Sequence, residues 1–429
     1  MELNSDILYQ ICSYLSTSDI LSFSFLSYHY YINILNNIEI MKTHTFTLKN
    51  DVTNLKILNN LPYKIYNLNL NNNKNLTDGD FFNLGHIYNL NMSGCNQKTI
   101  TDDLFNNLKN IHTLNISTCN QETISDKAFE YLEGINTLNM SRCNQNTITD
   151  KAFEYLKGIH TLDISRCNQY TITDKAFQNL QGIFNLNMGG CNQNTITDKA
   201  FEHLKGIHTL NMSRCNQNTI TDKAFEYLKG IHTLNIQECS QYTITDNAFK
   251  NLKGIHTLCM RSCRQNTITD KAFKNLKDIY SLDMSKCTQN TITNKAFKNL
   301  ENIHSLNMSV CKQTTITDQA FEYLKNIYKL KMSFCNQNTI TDKAFKYLKN
   351  IHNLDITYCN QIFITDNTFL NLKKIHKLKI SYCTKNTLTH NAFQHFKHIR
   401  YIDISGLDQK VLCLDNLNIP TIIINRHMY

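Results

Sequence analysis

The chain has 429 residues, 41% hydrophobic and 18% charged, and 44 Lys and Arg against 35 Asp and Glu give it a formal charge of +9. That apolar content excludes a generally disordered chain, and the length allows several domains or one elongated array. The positive excess is spread rather than clustered, which favours a solvated basic face over a nucleic-acid binder.

The first segment, residues 1–44, opens "MELNSDILYQICSYLS". Glu2 and Asp6 stand where a signal peptide would be basic, no small-residue cleavage site follows, and no apolar run is long enough to span a bilayer. A soluble intracellular protein is the expectation, in the cytoplasm, with the nucleus also open and no membrane partner. Leu3, Ile7, Leu8, Ile11, Tyr14 and Leu15 form a helical stripe with Asn4 or Ser5 as cap. A second helical stretch starts at Ser16 to Ser18 and presents Ile20, Leu21, Phe23, Phe25, Leu26, Tyr28, Tyr30 and Tyr31. Forty residues cannot bury that much apolar surface alone, so the segment must pack on the rest of the chain or on a partner.

From residue 45 onward the chain is periodic. Thirteen of its 16 cysteines, Cys95 to Cys383, are spaced by 24 residues. A fixed period in this range marks a stacked repeat architecture. One unit runs from Ile207 to Gly230, "IHTLNMSRCNQNTITDKAFEYLKG". "IHTLNMS" alternates apolar and polar residues as a short strand does, with Leu210 and Met212 on one side. An Asn- and Gln-rich turn follows. "TITDKAFEYLKG" then offers a Thr or Asp cap, Phe225 and Leu228 three apart on a helix of about two turns, and Gly230 as the stop. So short a helix needs neighbours to hold it, and stacking the units gives a curved α/β solenoid with a parallel sheet along its concave edge. The clearest repeats span 66–406. Degenerate caps are expected at about 45–65, where Phe46 and Leu48 suggest a first turn, and at about 407–429, where Ile419, Ile422 and Ile424 repeat the strand pattern.

The pattern L-x-x-L-x-L-x-x-C/N followed by I-T-D resembles the leucine-rich repeat, specifically its cysteine-containing class. In that class the cysteine stands three residues before the Ile, whereas "CNQNTI" places it five before, so the unit here is compressed. "NKNLTD" at 73–78 keeps the shorter spacing, with Asn73 in the slot that cysteine fills later.

With a repeat array identified, the first 44 residues resemble an F-box, the helical module that docks on the Skp adaptor of a cullin–RING ubiquitin ligase. Leu3, Ile7, Leu8, Ile11, Tyr14, Leu15, Asp19 and Ile20 fall in the family register, and "FLSYHYY" stands where its V-C-R-x-W end would be. Asn4 replaces the usual Pro and Tyr30 or Tyr31 the usual Trp. The resemblance implies Skp docking through Leu3, Ile7, Leu8, Ile11, Leu15, Ile20, Leu21 and Leu26. The alternative is an ordinary helical cap for the solenoid. An Asn-, Ile-, Lys- and Tyr-rich composition with near-identical repeats is similar to F-box repeat proteins of giant DNA viruses, which would put the chain in a host cytoplasm.

No C-x-x-C pair, phosphate loop, H-E-x-x-H or G-x-S-x-G occurs, so no metal, no cofactor and no enzyme are expected. The cysteine column reads as buried thiols satisfying backbone groups of the turn. Cys259, outside the column, reads as the exposed thiol. Histidines two residues before the strand Leu (His112, His160, His208 and others) read as a polar ring, since Asn136, Phe184, Tyr280 and Tyr328 share their column. Binding should sit where the uniform Thr/Asn/Ser surface is broken, by Arg261 and by Lys329, Lys331, Phe334, Tyr358, Lys377, Lys379, Tyr382 and Tyr401, because gathered aromatics and cations are what hot spots use. Drift among redundant copies is the alternative. The function expected is target recognition for an SCF-type ligase, through an Skp-family adaptor and a protein target; the alternative is a leucine-rich-repeat binding or structural scaffold without a ubiquitin link.

Overall fold

In a computed structural model, residues 10–12, 15, 16, 34, 35, 37–48, 52, 53, 55, 58, 64–82, 84–361, 363–384, 388–407 and 421–423 are described. The chain divides into two compact units, Met1–Ile207 and His208–Tyr429.

Each unit is a leucine-rich-repeat stack built on three-residue parallel strands. The first carries β1 (Thr45–Thr47), β2 (Asn67–Asn69), β3 (Asn89–Asn91), β4 (Thr113–Asn115), β5 (Thr137–Asn139), β6 (Thr161–Asp163) and β7 (Asn185–Asn187). They pair in chain order, all parallel, with Phe46, Leu68, Leu90, Leu114, Leu138, Leu162 and Leu186 in one register row. The second carries β8 (Thr209–Asn211), β9 (Thr233–Asn235), β10 (Thr257–Cys259), β11 (Ser281–Asp283), β12 (Ser305–Asn307), β13 (Lys329–Lys331), β14 (Asn353–Asp355), β15 (Lys377–Lys379), β16 (Tyr401–Asp403) and β17 (Thr421–Ile423). These too pair in order and in parallel, from β8 with β9 to β16 with β17. The two end strands expected from "HTFTLKND" and "IPTIIIN" are therefore β1 and β17.

The alternation read in the sequence sets the core. In the repeat from Ile231 to Gly254, Ile231, Leu234, Ile236, Cys239, Ile244, Ala248, Phe249 and Leu252 are all at most 2% exposed. A strand this short holds because its ladder continues past its ends: His232 N–H and Thr233 N–H both donate to the His208 carbonyl, and Ile236 N–H donates to that of Cys259. The polar turn supplies the rest. Asn235 Oδ1 accepts from Gln237 N–H at 2.9 Å, and the next residue, Glu238, takes a left-handed φ of 57° before the chain drops into the core at Cys239.

The helical return is shorter than the two turns expected. The heptapeptide DKAFEYL is one α-helical turn at Asp126–Glu130 and a 3-10 helix at Asp150–Leu156, so it lies on the border between the two. A three-residue apolar spacing explains this: i and i+3 eclipse on a 3-10 helix, and Phe153 and Leu156 are both buried that way. Of the two caps considered, threonine is the one used; Thr149 accepts from Lys151 N–H. The following aspartate reaches across repeats instead. Asp150 accepts the N–H and the hydroxyl of Thr173, both at 2.7 Å. The same pair of bonds recurs from Asp126 to Thr149, from Asp246 to Thr269 and from Asp318 to Thr341. Stop glycines such as Gly134, Gly158 and Gly254 have φ between 82° and 85°, the left-handed value a helix C-cap needs.

Of the expected Skp-docking residues, Leu3, Ile7, Leu8, Ile20, Leu21 and Leu26 lie outside the described residues. Ile11 is 37% exposed. Leu15 packs with Phe46 of β1 and Tyr66 against a small cluster of Cys12, Ile34, Leu35, Ile40 and Met41. Asn37 caps the helix Ile38–Lys42 by accepting from Glu39 N–H and Ile40 N–H. What is described of this segment thus joins the first strands of the array.

Candidate protein-docking face

The cysteine column is structural. Cys143, Cys167, Cys239, Cys287 and Cys335 are fully buried, and each thiol donates to a carbonyl 27 residues earlier, as Cys239 does to Met212 at 3.1 Å. The partner is thus the neighbouring repeat rather than the thiol's own turn, because the side chain points along the stack. Burial raises these thiols; Cys167, Cys287, Cys335 and Cys383 are pushed up to about 12. Asn73, in the equivalent slot, donates to Val52 O and accepts from Asn75 N–H and Leu76 N–H, so an amide does the same work. Cys259 is half-buried, more open than the column, and its thiol too is raised by burial. Among the described residues, no group of three or more His, Cys, Asp or Glu is arranged to hold a metal ion, and no helix is long and apolar enough to cross a membrane.

The histidine column is more than a polar ring. In the second unit, His208, His232, His256, Tyr280, His304, Tyr328, His352 and His376 stack face to face, with neighbouring ring centroids 4.3 to 4.9 Å apart. Each such pair contributes about 0.5–1.5 kcal/mol beyond its buried area. Flat rings recurring every 24 residues were the signal, since in-register strands superpose equivalent side chains. His376 is held below the usual imidazole range by burial and then by its neighbours His352, Arg400 and His398.

The residue just before each cysteine adopts φ > 0: Arg142, Arg166, Arg214, Glu238, Lys286, Val310, Phe334, Tyr358 and Tyr382 all lie between 57° and 63°. Three of these side chains form a second aromatic stack. Phe334 lies over Tyr358 at 4.5 Å and Tyr358 over Tyr382 at 4.6 Å, nearly parallel. The stack ends at Gly406, where an added Cβ would strike the Tyr382 ring.

Strand register brings the predicted lysines together. Lys329, Asn353, Lys377 and Tyr401 form one row across β13 to β16; Lys331, Asp355, Lys379 and Asp403 form the next. Leu330 between the first two lysines is buried, so both point off the solvent side of the sheet. Lys329, Lys331, Asn353, Asp355, Lys377 and Lys379 line a groove of about 310 Å³. Lys377 Nζ stands 4.4 Å over the Tyr401 ring. Asp355 accepts from Ser333 Oγ and Thr357 N–H. Burial opposes ionisation of Asp403, but hydrogen bonds from Ser381 and Ser405 and the charge of Lys379 outweigh it and hold the carboxyl below its usual range. Among the described residues, none of the four ammonium groups is within ion-pair distance of a carboxylate.

Arg261 does not join this group. It follows β10, three strands before β13, and stands near Glu238, which is paired bidentately with Arg214 at 2.8 and 3.3 Å. The buried Nε of Arg261 has no protein partner. The residues the sequence reading missed are Asn353, Asp403 and Gly406. Adding 24 to Lys329 reaches Asn353, adding 24 to Lys379 reaches Asp403, and adding 24 to Tyr382 reaches Gly406, so the period itself carried that signal.

The sequence matches the family described as the BspA type leucine rich repeat region, in six copies over residues 63–184, 146–280, 194–328, 266–400 and 314–427. No curated protein matches the chain. Among solved structures, the fold is similar to that of TLR13 in its complex with ssRNA13, with a TM-score of 0.60 at 18% identity, covering 83% of this chain and 58% of that one. It is also similar to the Toll–Spatzle complex of Drosophila, with a TM-score of 0.57 at 14% identity, covering 84% of this chain and 52% of that one. The chain thus spans between about half and three-fifths of the proteins it resembles in structure.

Proposed function

Because the chain belongs to the leucine-rich-repeat proteins of the BspA type, we propose that it is a protein-docking scaffold whose recognition surface lies on β13 to β16 and the turns that follow them. The observation that carries this reading is the coincidence of the lysine-lined groove and the Phe334–Tyr358–Tyr382 stack on successive repeats. Elsewhere in the second unit the same strand positions are mostly Thr, Ser and Asn. Stacked aromatics beside unpaired cations are the composition that binding hot spots favour. A photo-crosslinking residue at Tyr358 should capture a protein partner that the same residue at Lys274, on a helical return, does not. Equal capture at both positions would refute the assignment of the face.

We further propose that the partner held there is a target presented to an SCF-type ubiquitin ligase. This rests on the F-box resemblance of residues 1–44 and on the receptor's logic: it performs no chemistry and acts by raising effective concentration. Co-purification with an Skp homologue should be lost when the chain is truncated to 45–429. Retention by both chains, or by neither, would leave a scaffold without a ubiquitin link.

A further inference from the structure

The two rows of the groove differ in one respect. The row Lys331, Asp355, Lys379, Asp403 alternates in charge strand by strand. The row Lys329, Asn353, Lys377, Tyr401 has the same two lysines on the same strands but an amide where its neighbour has a carboxylate, and a tyrosine ring where its neighbour has the second. Strands are about 4.8 Å apart, so Lys329 and Lys377 flank Asn353 across about 10 Å. Two ammonium groups with a neutral hydrogen-bonding amide between them make a slot one carboxylate wide. Both lysines are exposed, and Lys377 is steadied over Tyr401.

We infer that this slot takes a glutamate or aspartate side chain from an extended acidic segment of the docked protein, which completes the first row as Asp355 completes the second. The inference rests on the docking reading above and names the chemistry of its partner. Charge complementarity selects the occupant: four lysines face two carboxylates across these rows, and the unmatched cations all fall in one row. A nucleic-acid backbone is a poorer fit, because its phosphates repeat along a track and need cations repeated along it. Here the cations stop at three strands and Asp355 and Asp403 lie among them. The neighbouring Phe334–Tyr358–Tyr382 stack offers a surface for an apolar residue beyond the acidic one.

Asn353→Asp is the decisive perturbation, since it supplies the missing carboxylate from the chain itself and should close the slot. The probe is a set of fluorescein-labelled nonapeptides with one to three glutamates on an Ala/Leu background, alongside matched glutamine peptides, read by anisotropy. Glutamate peptides should bind the full chain, glutamine peptides should not, and N353D and K329E should each weaken binding by about tenfold or more, since opposed like charges are costly at an interface. D355N, in the other row, should not weaken it. Asn353 is only half-buried, and an unchanged thermal melt for N353D would show that the fold is intact. The inference is overturned if N353D binds as well as the parent, or if D355N loses as much as N353D. It is also overturned if a single-stranded oligonucleotide binds where glutamate peptides do not. Glutamine peptides that bind equally well, with binding lost in Phe334→Ser, would overturn it while leaving the docking reading in place. Absence of binding by both peptide sets overturns it too, and the crosslinking at Tyr358 then decides the docking reading separately.

Discussion

Replacing Val310 by glycine should stabilise the second unit, although it removes a side chain and adds none. Val310 has φ 63°, a left-handed conformation in which Cβ crowds the following carbonyl. That costs an L-residue about 1–2 kcal/mol, and a β-branched one belongs at the upper end. Glycine escapes the penalty but loses about 0.5–1 kcal/mol more than other residues through its freedom in the unfolded chain. The turn itself accepts glycine: Gly94 holds φ 71° at the equivalent position and its N–H donates to Ser117 O at 2.8 Å, as Val310 N–H donates to Ser333 O at 2.8 Å. The balance for Val310→Gly is a gain of about 0.5–1 kcal/mol. Phe334→Gly releases the same backbone penalty but breaks the stack on Tyr358, worth about 0.5–1.5 kcal/mol, along with the area the ring covers. Its net effect should be a loss of about 0.5–1 kcal/mol. Urea unfolding followed by circular dichroism, with midpoints compared at constant slope, reads both. Equal signs for the two variants, or a destabilised V310G, would refute the claim that left-handed strain is held in this column.

Three further expectations follow from the ladders. Asp246 accepts from Thr269 N–H, Thr269 Oγ1 and Ala272 N–H, so Asp246→Ala should cost about 2–4 kcal/mol in the same assay, two or more charge-assisted bonds being lost. Asp246→Asn should cost about 1 kcal/mol or less, because Asn294 in its own repeat already accepts from Thr317 N–H and donates to Thr317 Oγ1. Iodoacetamide at pH 8 should label Cys259 first among the described thiols, and Cys143 to Cys383 only on unfolding; peptide mapping that finds Cys287 labelled as fast would refute their burial. The column also sets an alkaline limit. Cys167, Cys287, Cys335 and Cys383 are raised to about 12 when folded and titrate near 9.0 when unfolded. Above pH 9 the unfolded chain therefore holds fewer protons, and the melting temperature should fall from there toward pH 12 while remaining unaffected by these groups below pH 9.

Much of the fold was legible because repetition removed ambiguity. A single "CNQNTITD" could be a metal turn, but one at every twenty-fourth residue puts the thiols side by side in a stack, and Asn73 shows that an amide can hold the slot. Strand positions and stop glycines followed from the same period. What escaped depended on contacts made one repeat away. Asp150 looked like half of a helix cap, and its carboxylate bonds Thr173 instead, because a one-turn return is too short to use a second capping group. The ring stack from His208 to His376 was visible as a column of aromatic letters, but its geometry comes from rotamers locked by in-register strands. The lysines of the groove were legible singly, whereas the distinction between Asn353 and Asp355 appears only when rows are read across strands.

The near-identity of the repeats also bears on why the docking reading is preferred to drift. Each repeat is pinned by the buried Leu/Ile/Phe set, the thiol-to-carbonyl bond, the Asp–Thr pair and the asparagine turn, and those anchors leave the strand faces and the left-handed position free to vary. Independent drift would scatter substitutions over all of these free columns along the unit. In β13 to β16 the substitutions instead fall together. Two Lys-Leu-Lys strands flank one strand, three consecutive left-handed positions carry aromatic rings that touch each other, and Tyr401 sits beneath Lys377. The left-handed position disfavours bulky side chains, so three aromatics there run against the local backbone preference. A residue type that costs conformational energy, placed three times in succession where its rings meet beside unpaired cations, is explained by a surface that has to bind something.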